Sequence, residues 1–325
     1  MIVLETRARA RGAVALLLAG ALLLAACGDD EGSASAEGPT IAVTTSILAD
    51  VVGELVGDQA EVVAVMPRGA DPHEFQASAQ EVDRVRRADA LVLNGGGFEE
   101  GLLDLADAVA EDGMPVHEVV GADGDADHED GEDEHGEDEH GHEDGGDAHF
   151  FTDPVRMDEA VEGISAFLAA EVPGLDVESL EQATAAYRDE LRALDAEVEA
   201  LLAGIPESRR VLVTGHDVLG AFADRYGFEV VGTVIPSGST SDGGNAGDLA
   251  ELADAVRDAG VRAVFVDSSA ADRLARTLAA EAGDIEVRTL FTESLGEPGS
   301  GAETYLDMVR TNAERIAGVL ADGAP

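Results

Sequence analysis

The chain has 325 residues, a formal net charge of −48 at pH 7 and a hydrophobic content of 45%. Such a negative charge argues against nucleic acid as a partner, because the phosphates would be repelled. The single cysteine, Cys27, excludes a disulfide within the chain, so stability must come from a hydrophobic core. The length favours two domains over one.

The first 39 residues have the pattern of an export signal followed by a tether. Three arginines precede an uncharged apolar run at 12–26, which is shorter than a membrane-spanning helix requires. The segment LAAC, which ends at Cys27, resembles a bacterial lipobox, in which the peptide is cut before the cysteine and its sulfur is lipidated. We therefore predict a signal peptide over 1–26 and a lipidated Cys27 on a flexible tether over 27–39. The alternative is an ordinary signal peptide with a chance cysteine.

From residue 40, short β-branched runs alternate with amphipathic stretches, which is typical of strand–helix units around a parallel sheet. The predicted strands of the first half are 41–44, 62–66, 91–93 and 116–119. The predicted helices are 47–56, 78–87 and 98–111. Asp153 and Pro154 are expected to begin a further helix, with proline at its first position.

A highly acidic tract follows the fourth predicted strand. Residues 121–149 contain fourteen acidic residues and five of the eight histidines, without one basic residue. We expect 121–148 to be a disordered loop, because its carboxylates repel one another and it has no apolar side chain larger than alanine. Imidazole and carboxylate groups bind zinc-class ions, so we predict an accessory metal loop formed by His128, His135, His140 and His142. The alternative is a solvated linker whose histidines are incidental.

A long amphipathic helix is predicted over 178–203, with a length of roughly 40 Å at 1.5 Å per residue. Such a helix is too long to cross over one small sheet and suits a stiff strut along two lobes. The strand–helix alternation resumes after it. The predicted strands are 210–214, 230–234, 263–266 and 287–291, and the predicted helices are 219–226, 248–259, 270–280 and 302–320.

These elements predict an α/β fold with two four-stranded lobes joined by one long linker helix. We assign 40–172 to the N-terminal lobe, 173–206 to the linker helix and 207–325 to the C-terminal lobe. Ligand sites in open α/β sheets gather at the carboxyl ends of the strands. We therefore expect a site in the cleft between the lobes.

Three histidines occur at suggestive places. His73 lies in a Pro- and Gly-containing loop after the second predicted strand, and His216 follows the first strand of the second half. His149 ends the acidic tract beside two phenylalanines, where it is either a packed side chain or a ligand. His117 lies within a predicted strand, which favours a structural or surface role.

Four segments in unbroken order, DPHEF, HFFTDP, VTGHDVLGAFADRYGFEVVG and TLFTESLG, resemble the cluster A-I solute-binding lipoproteins of zinc and manganese ABC importers. The resemblance implies that one metal ion is coordinated in the cleft by His73, His149, His216 and Glu293. Most members have aspartate where this chain has Glu293. Asp267 is a second candidate for the carboxylate ligand, although a cap for the following helix is the favoured interpretation.

Three neutral imidazoles and one carboxylate form a ligand set that Zn²⁺ accepts, whereas Mn²⁺ prefers more oxygen ligands. We therefore predict a monomer, lipid-anchored at the outer face of the cell membrane, that captures Zn²⁺ and delivers it to an ABC permease and its ATPase. No enzymatic activity is expected. The alternatives are a manganese-specific protein of the same family, a zinc-dependent hydrolase and a surface adhesin.

Overall fold

The computed structural model of the chain describes residues 38–121, 147–235, 239–240, 246–283 and 285–321. The predicted signal peptide, Cys27 and the four histidines of the accessory metal loop lie outside these residues. Within the described part of the chain, none of the helices combines the length and the apolar character that a membrane crossing demands.

The first half of the chain forms a parallel four-stranded sheet, in the order β2-β1-β3-β4. Its strands are β1 (Thr40–Val43), β2 (Glu61–Ala64), β3 (Ala90–Gly95) and β4 (Val116–Val120). Parallel strands need crossover connections, which here include helices. These are α1 (Ser46–Val56), α2 (Ala79–Arg86) and α3 (Leu103–Glu111), and α4 (Pro154–Glu171) follows the acidic tract.

The second half repeats this plan in a separate parallel sheet, in the order β6-β5-β7-β8. Its strands are β5 (Val211–Thr214), β6 (Glu229–Thr233), β7 (Ala263–Asp267) and β8 (Glu286–Leu290). Its helices are α6 (Gly220–Tyr226), α7 (Ala246–Asp258), α8 (Arg273–Glu281) and α9 (Tyr305–Leu320). The predicted α/β fold with two four-stranded lobes is confirmed.

The predicted linker helix is also present, as α5 (Val177–Leu202). It begins at a capped end, because the Asp176 side chain accepts a hydrogen bond from Ser179 N at 2.8 Å. One face of α5 is buried, and the helix packs against α1 and α4 of the first half and against α9 of the second. A single hydrophobic cluster includes Val43 in β1, Leu191 in α5 and Ile316 in α9. The two sheets are therefore joined through one continuous core.

Three helices begin at least three residues later than predicted. Phe98 is fully buried ahead of α3 rather than inside it. Helix α9 begins at Tyr305, because the Thr304 hydroxyl accepts a hydrogen bond from Asp307 N. Helix α8 begins at Arg273, and the interpretation of Asp267 as its cap was wrong: the residue at the cap position of α8 is Asp272.

Candidate metal site

Four buried side chains from distant parts of the chain meet between the two sheets. His73 follows β2, His149 follows β4 and the acidic tract, His216 follows β5, and Glu293 follows β8. One ligand atom from each lies within 4.8 Å of the others. Their exposed fractions are only 5%, 3%, 2% and 2%, respectively. The structure thus brings together the four residues proposed from the sequence.

The Glu293 carboxylate faces all three imidazoles. Its Oε1 lies 2.7 Å from His216 Nε2 and 3.2 Å from His149 Nε2, and its Oε2 lies 3.4 Å from His73 Nε2. Tetrahedral zinc with bonds of about 2.0–2.1 Å holds its ligand atoms about 3.3 Å apart. The carboxylate–imidazole distances are near this value, and a small contraction of the four ligand atoms, which lie within 4.8 Å of one another, would let them hold one four-coordinate ion.

The charges of the cluster are coupled. Burial alone would raise the pKa of Glu293, but the three imidazoles around it, with His149 foremost, hold that pKa well below its ordinary value. Burial alone would lower the pKa of His149, but attraction to Glu293 raises it. The cluster therefore favours an ionised carboxylate, the form that binds a cation.

The His73 loop is held by contacts on both sides of the cleft. The Asp71 carboxylate accepts a hydrogen bond from His73 N through Oδ1, at 3.0 Å, and from the Thr240 hydroxyl of the second half through Oδ2, at 2.7 Å. Gly69 adopts a φ of +72°, which favours glycine in this turn. The turn and the Asp71 contacts together direct His73 into the cluster.

His149 is positioned by both halves of the chain. Asp147 accepts hydrogen bonds from His149 N at 2.9 Å and from Ala221 N, in the first turn of α6, at 3.1 Å. The Asn94 side chain, at the end of β3, donates to the Ala148 carbonyl at 2.9 Å. Residues Asp147 and Ala148 are therefore attached to β3 of the first half and to α6 of the second.

Two neighbouring residues were missed by the sequence analysis. Phe98 places its ring edge-on to His73 and His149, with centroid distances of 5.3 Å to each. Glu99 is fully buried and accepts hydrogen bonds from Thr44 Oγ1, at 2.6 Å, and from Asn94 N, at 2.7 Å. Burial raises the pKa of Glu99 despite these bonds. The available signal was the position of the NGGGFE segment, directly after the predicted strand at 91–93.

The segment after Glu293 is bonded to the first half of the chain. Ser294 Oγ accepts a hydrogen bond from Gly69 N at 2.8 Å and lies 3.0 Å from Ser46 Oγ. Arg68 donates to the Gly296 carbonyl at 2.8 Å. Glu293 thus belongs to the second half by sequence, but its position depends on both halves.

Two other candidates lie outside the cluster. His117 is half-buried in β4 and stacks on Phe167 at a centroid distance of 5.0 Å, and burial lowers its pKa. Asp267 is buried at the end of β7, but its oxygens are engaged by main-chain and hydroxyl groups rather than by the three histidines. Of the two candidate carboxylates, Glu293 is the one that the fold brings to the imidazoles.

Residues 41–319 match the family model described as zinc-uptake complex component A, periplasmic. The chain belongs to this zinc-uptake component A family. The match spans both sheets and all four clustered residues, and the family consists of transport components rather than enzymes. The predicted family, and the predicted role as the metal-binding component of an importer, are confirmed.

Two curated relatives bear different metals in their names. The manganese-binding lipoprotein MntA of Halalkalibacterium halodurans is 28% identical over 305 residues, covering 93% of this chain and 95% of the relative. The zinc-binding protein TroA of Treponema pallidum is 29% identical over 296 residues, covering 89% and 91%. This chain is therefore similar to proteins named for either metal.

The fold of this family member is also found among solved structures. The periplasmic zinc-binding protein TroA from Treponema pallidum superposes with a TM-score of 0.77 and 26% sequence identity, covering 87% of this chain and 99% of that chain. The likeness extends over nearly all of TroA. The two-lobed architecture is therefore shared in full.

Proposed function

We propose that this protein captures Zn²⁺ between its two lobes and delivers it to an ABC permease driven by an ATPase. The observation that carries this proposal is the convergence of His73, His149, His216 and Glu293, with one ligand atom from each within 4.8 Å of the others. All four are buried, so an ion bound there would exchange its hydration shell for protein ligands.

The composition of the cluster favours zinc over manganese. Three of its four candidate ligands are imidazoles, which suit Zn²⁺, whereas Mn²⁺ is better served by carboxylate, carbonyl and water ligands. The general affinity order of divalent metals also places Zn²⁺ above Mn²⁺, but this order holds at almost any such site and so does not distinguish the two roles. A manganese-specific role is the alternative, and relatives named for manganese support it.

A cavity beside the cluster offers a route from solvent. It has a volume of about 440 Å³ and is lined by His216, by the carboxylates of Asp71 and Glu74, by Arg273 and by apolar residues such as Leu274. Carboxylates in such a position raise the local concentration of cations. We propose this cavity as the route by which Zn²⁺ reaches the histidines.

A binding role without catalysis fits the ligand count. A catalytic zinc has three protein ligands and keeps a fourth position for water. Here a fourth protein side chain, Glu293, already lies among the imidazoles. A zinc-dependent hydrolase would require Glu293 to act as a base instead, and hydrolysis of ester or amide substrates that disappears in Glu293→Gln would support that alternative.

We further propose that the protein is a monomer, lipid-anchored through Cys27 at the outer face of the cell membrane. Several relatives are named as lipoproteins of metal ABC transporters, which supports this location. We also propose lobes at 40–172 and 207–325, with the linker at 173–206. Since one core joins the two sheets, we expect a small rather than a large closure of the cleft.

The first prediction is that one tight zinc site depends on His73. Calorimetric titration of protein that lacks residues 1–26 and 123–143 should show one tight Zn²⁺ site. The His73→Ala substitution should weaken zinc binding at this site by more than about 100-fold, which exceeds the usual effect of losing an outer-shell partner. His117→Gln is the matched control, because His117 lies in β4 away from the cluster. Equal binding by the His73→Ala variant would refute the site.

The second prediction concerns the acidic tract. Deletion of residues 123–143 from the mature protein should lower the number of Zn²⁺ ions bound but leave one tight site. The reason is that His128, His135, His140 and His142 are proposed as weaker accessory ligands, whereas His149 belongs to the buried cluster. Zinc bound per chain, measured by elemental analysis after dialysis, tests this. Loss of the tight site would show that the tract supplies one of its ligands.

A further inference from the structure

Asp267 lies beside the metal site, where its carboxylate bonds to the main chain of the segment that carries Glu293. It ends β7 and is 4% exposed. Its Oδ1 accepts hydrogen bonds from the amide and the hydroxyl of Ser269. Its Oδ2 accepts from Thr292 N at 2.7 Å, from Thr292 Oγ1 at 2.8 Å and from Glu293 N at 3.1 Å. One carboxylate therefore accepts five hydrogen bonds, three of them from the segment that carries Glu293.

We propose that Asp267 is a positioning residue that holds the Glu293 carboxylate in the metal site. This inference rests on the proposed function, since it assigns Asp267 a role in metal binding without metal contact. Both Asp267 oxygens are already engaged by hydrogen-bond donors, and neither belongs to the cluster of ligand atoms.

The route of the chain explains why such a residue is needed. Strand β8 ends at Leu290, which pairs with Asp267 of the neighbouring strand. The chain must then turn within three residues to bring Glu293 to the imidazoles. In this turn the amides of Thr292 and Glu293 are buried donors outside the sheet ladder, and Asp267 Oδ2 accepts from both.

The other end of the segment has a different anchor. Ser46 accepts a hydrogen bond from Leu295 N at 3.0 Å, and Gly69 N donates to Ser294 Oγ. Both Ser46 and Gly69 belong to the first half of the chain. The segment that carries Glu293 is thus bonded to Asp267 of its own sheet on one side and to Ser46 and Gly69 of the first half on the other. Loss of the Asp267 anchor would free the main chain on the N-terminal side of the ligand.

Asparagine at position 267 would disturb this arrangement with almost no change in volume. Each carboxylate oxygen accepts at least one main-chain N–H, whereas an amide side chain has one acceptor oxygen and one donor nitrogen. The new NH₂ group must therefore face either the Ser269 amide or those of Thr292 and Glu293. Asp267→Asn should weaken zinc binding by about 10- to 100-fold, the usual cost of losing an outer-shell partner.

A double-mutant cycle tests whether Asp267 acts through Glu293. Zinc affinity of the full mature chain is measured in a chelator-buffered zinc series, which keeps free zinc too low to fill weak tract sites. We expect Asp267→Asn to cost about 10- to 100-fold in the wild-type background. In the Glu293→Ala background it should cost no more than about twofold, which is the scatter of additive effects. Equal losses in both backgrounds would overturn the inference.

The cycle separates this inference from the proposed function. If Glu293→Ala itself leaves zinc affinity unchanged, the proposed site fails. If Glu293→Ala weakens binding but Asp267→Asn does not, only the positioning role fails. Ser269→Ala is the matched control, because it removes a donor from the Oδ1 side alone. It should change the affinity by no more than about twofold.

A second variant covers the case in which Asp267→Asn does not fold. Thr292→Val removes one donor to Oδ2 and leaves the carboxylate in place. A smaller loss of zinc affinity that disappears in the Glu293→Ala background supports the inference, and no loss overturns it. X-ray absorption at the zinc edge gives a direct readout: the carboxylate oxygen seen beside three imidazoles in the wild type should be lost or displaced in the folded position-267 variant.

Discussion

Replacing Glu293 with glutamine should lower the affinity for Zn²⁺ by more than about 100-fold, which exceeds the usual effect of an outer-shell substitution. Glu293 supplies the one anionic ligand of the cluster, and its carboxylate is 2.7 Å from His216 Nε2 and 3.2 Å from His149 Nε2. A glutamine side chain carries no charge and keeps only one oxygen that can face the ion. Competition with a chromophoric zinc chelator measures the change.

Glu297→Gln is the matched control for this substitution. Glu297 lies four residues along the same segment, but it is exposed and outside the cluster. The control removes the same charge from the chain, so it separates ligation from general electrostatic attraction. If Glu293→Gln bound zinc as tightly as Glu297→Gln, Glu293 would not be a ligand and the site would contain histidines alone.

Zinc binding should weaken steadily as the pH falls, beginning above the ordinary His pKa of 6.5. The reason is that attraction to Glu293 raises the pKa of His149, so a proton competes with zinc for His149 at a higher pH than for an isolated imidazole. Glu293 stays ionised through this window, because its pKa lies well below 4.5. Titrations from about pH 8 to about pH 6 measure the trend, and unchanged affinity over that range would contradict it.

The contribution of His149 to the free energy of unfolding of the metal-free protein should change with pH in the direction opposite to zinc binding. A raised His pKa contributes stability that is present below 6.5 and is lost as the pH rises through the raised value. The lowered pKa of Glu293 contributes stability above 4.5, which is lost as the pH falls through the lowered value. The rise in melting temperature caused by saturating zinc should therefore be larger at about pH 8 than at about pH 6, and thermal scans with and without a chelator provide the control.

The contacts around the cluster explain how the two halves of the chain are held in position around a site that both of them form. Asp71 bonds to Thr240, Asp147 bonds to Ala221 N, and Ser294 bonds to Gly69 N, each across the cleft. These bonds lie next to three of the four proposed ligands. An ion that draws the ligands together therefore also acts on the contacts that hold the halves together.

Much of the fold follows from local sequence patterns. Short β-branched runs separated by amphipathic stretches indicate parallel strands with crossover helices, and the 26 residues of α5 mark the linker between two such sets. His73 and His216 are also local signals, because each follows a strand where parallel sheets present their ligands, whereas His149 is marked by the change from acidic to aromatic residues. Helix starts were less predictable, since Thr304 and Asp272 each take up a cap position that the apolar pattern does not reveal.

The sequence by itself determined the fold class and the residue types available for metal binding, because hydrophobic periodicity and ligand chemistry are properties of neighbouring residues. Only the tertiary structure decided between the two candidate carboxylates. Asp267 ends one strand of the second sheet and Glu293 follows another, but Asp267 turns its oxygens toward main-chain amides and Glu293 toward the imidazoles. This choice depends on contacts between residues as far apart as His73 and Glu293, which no local pattern contains.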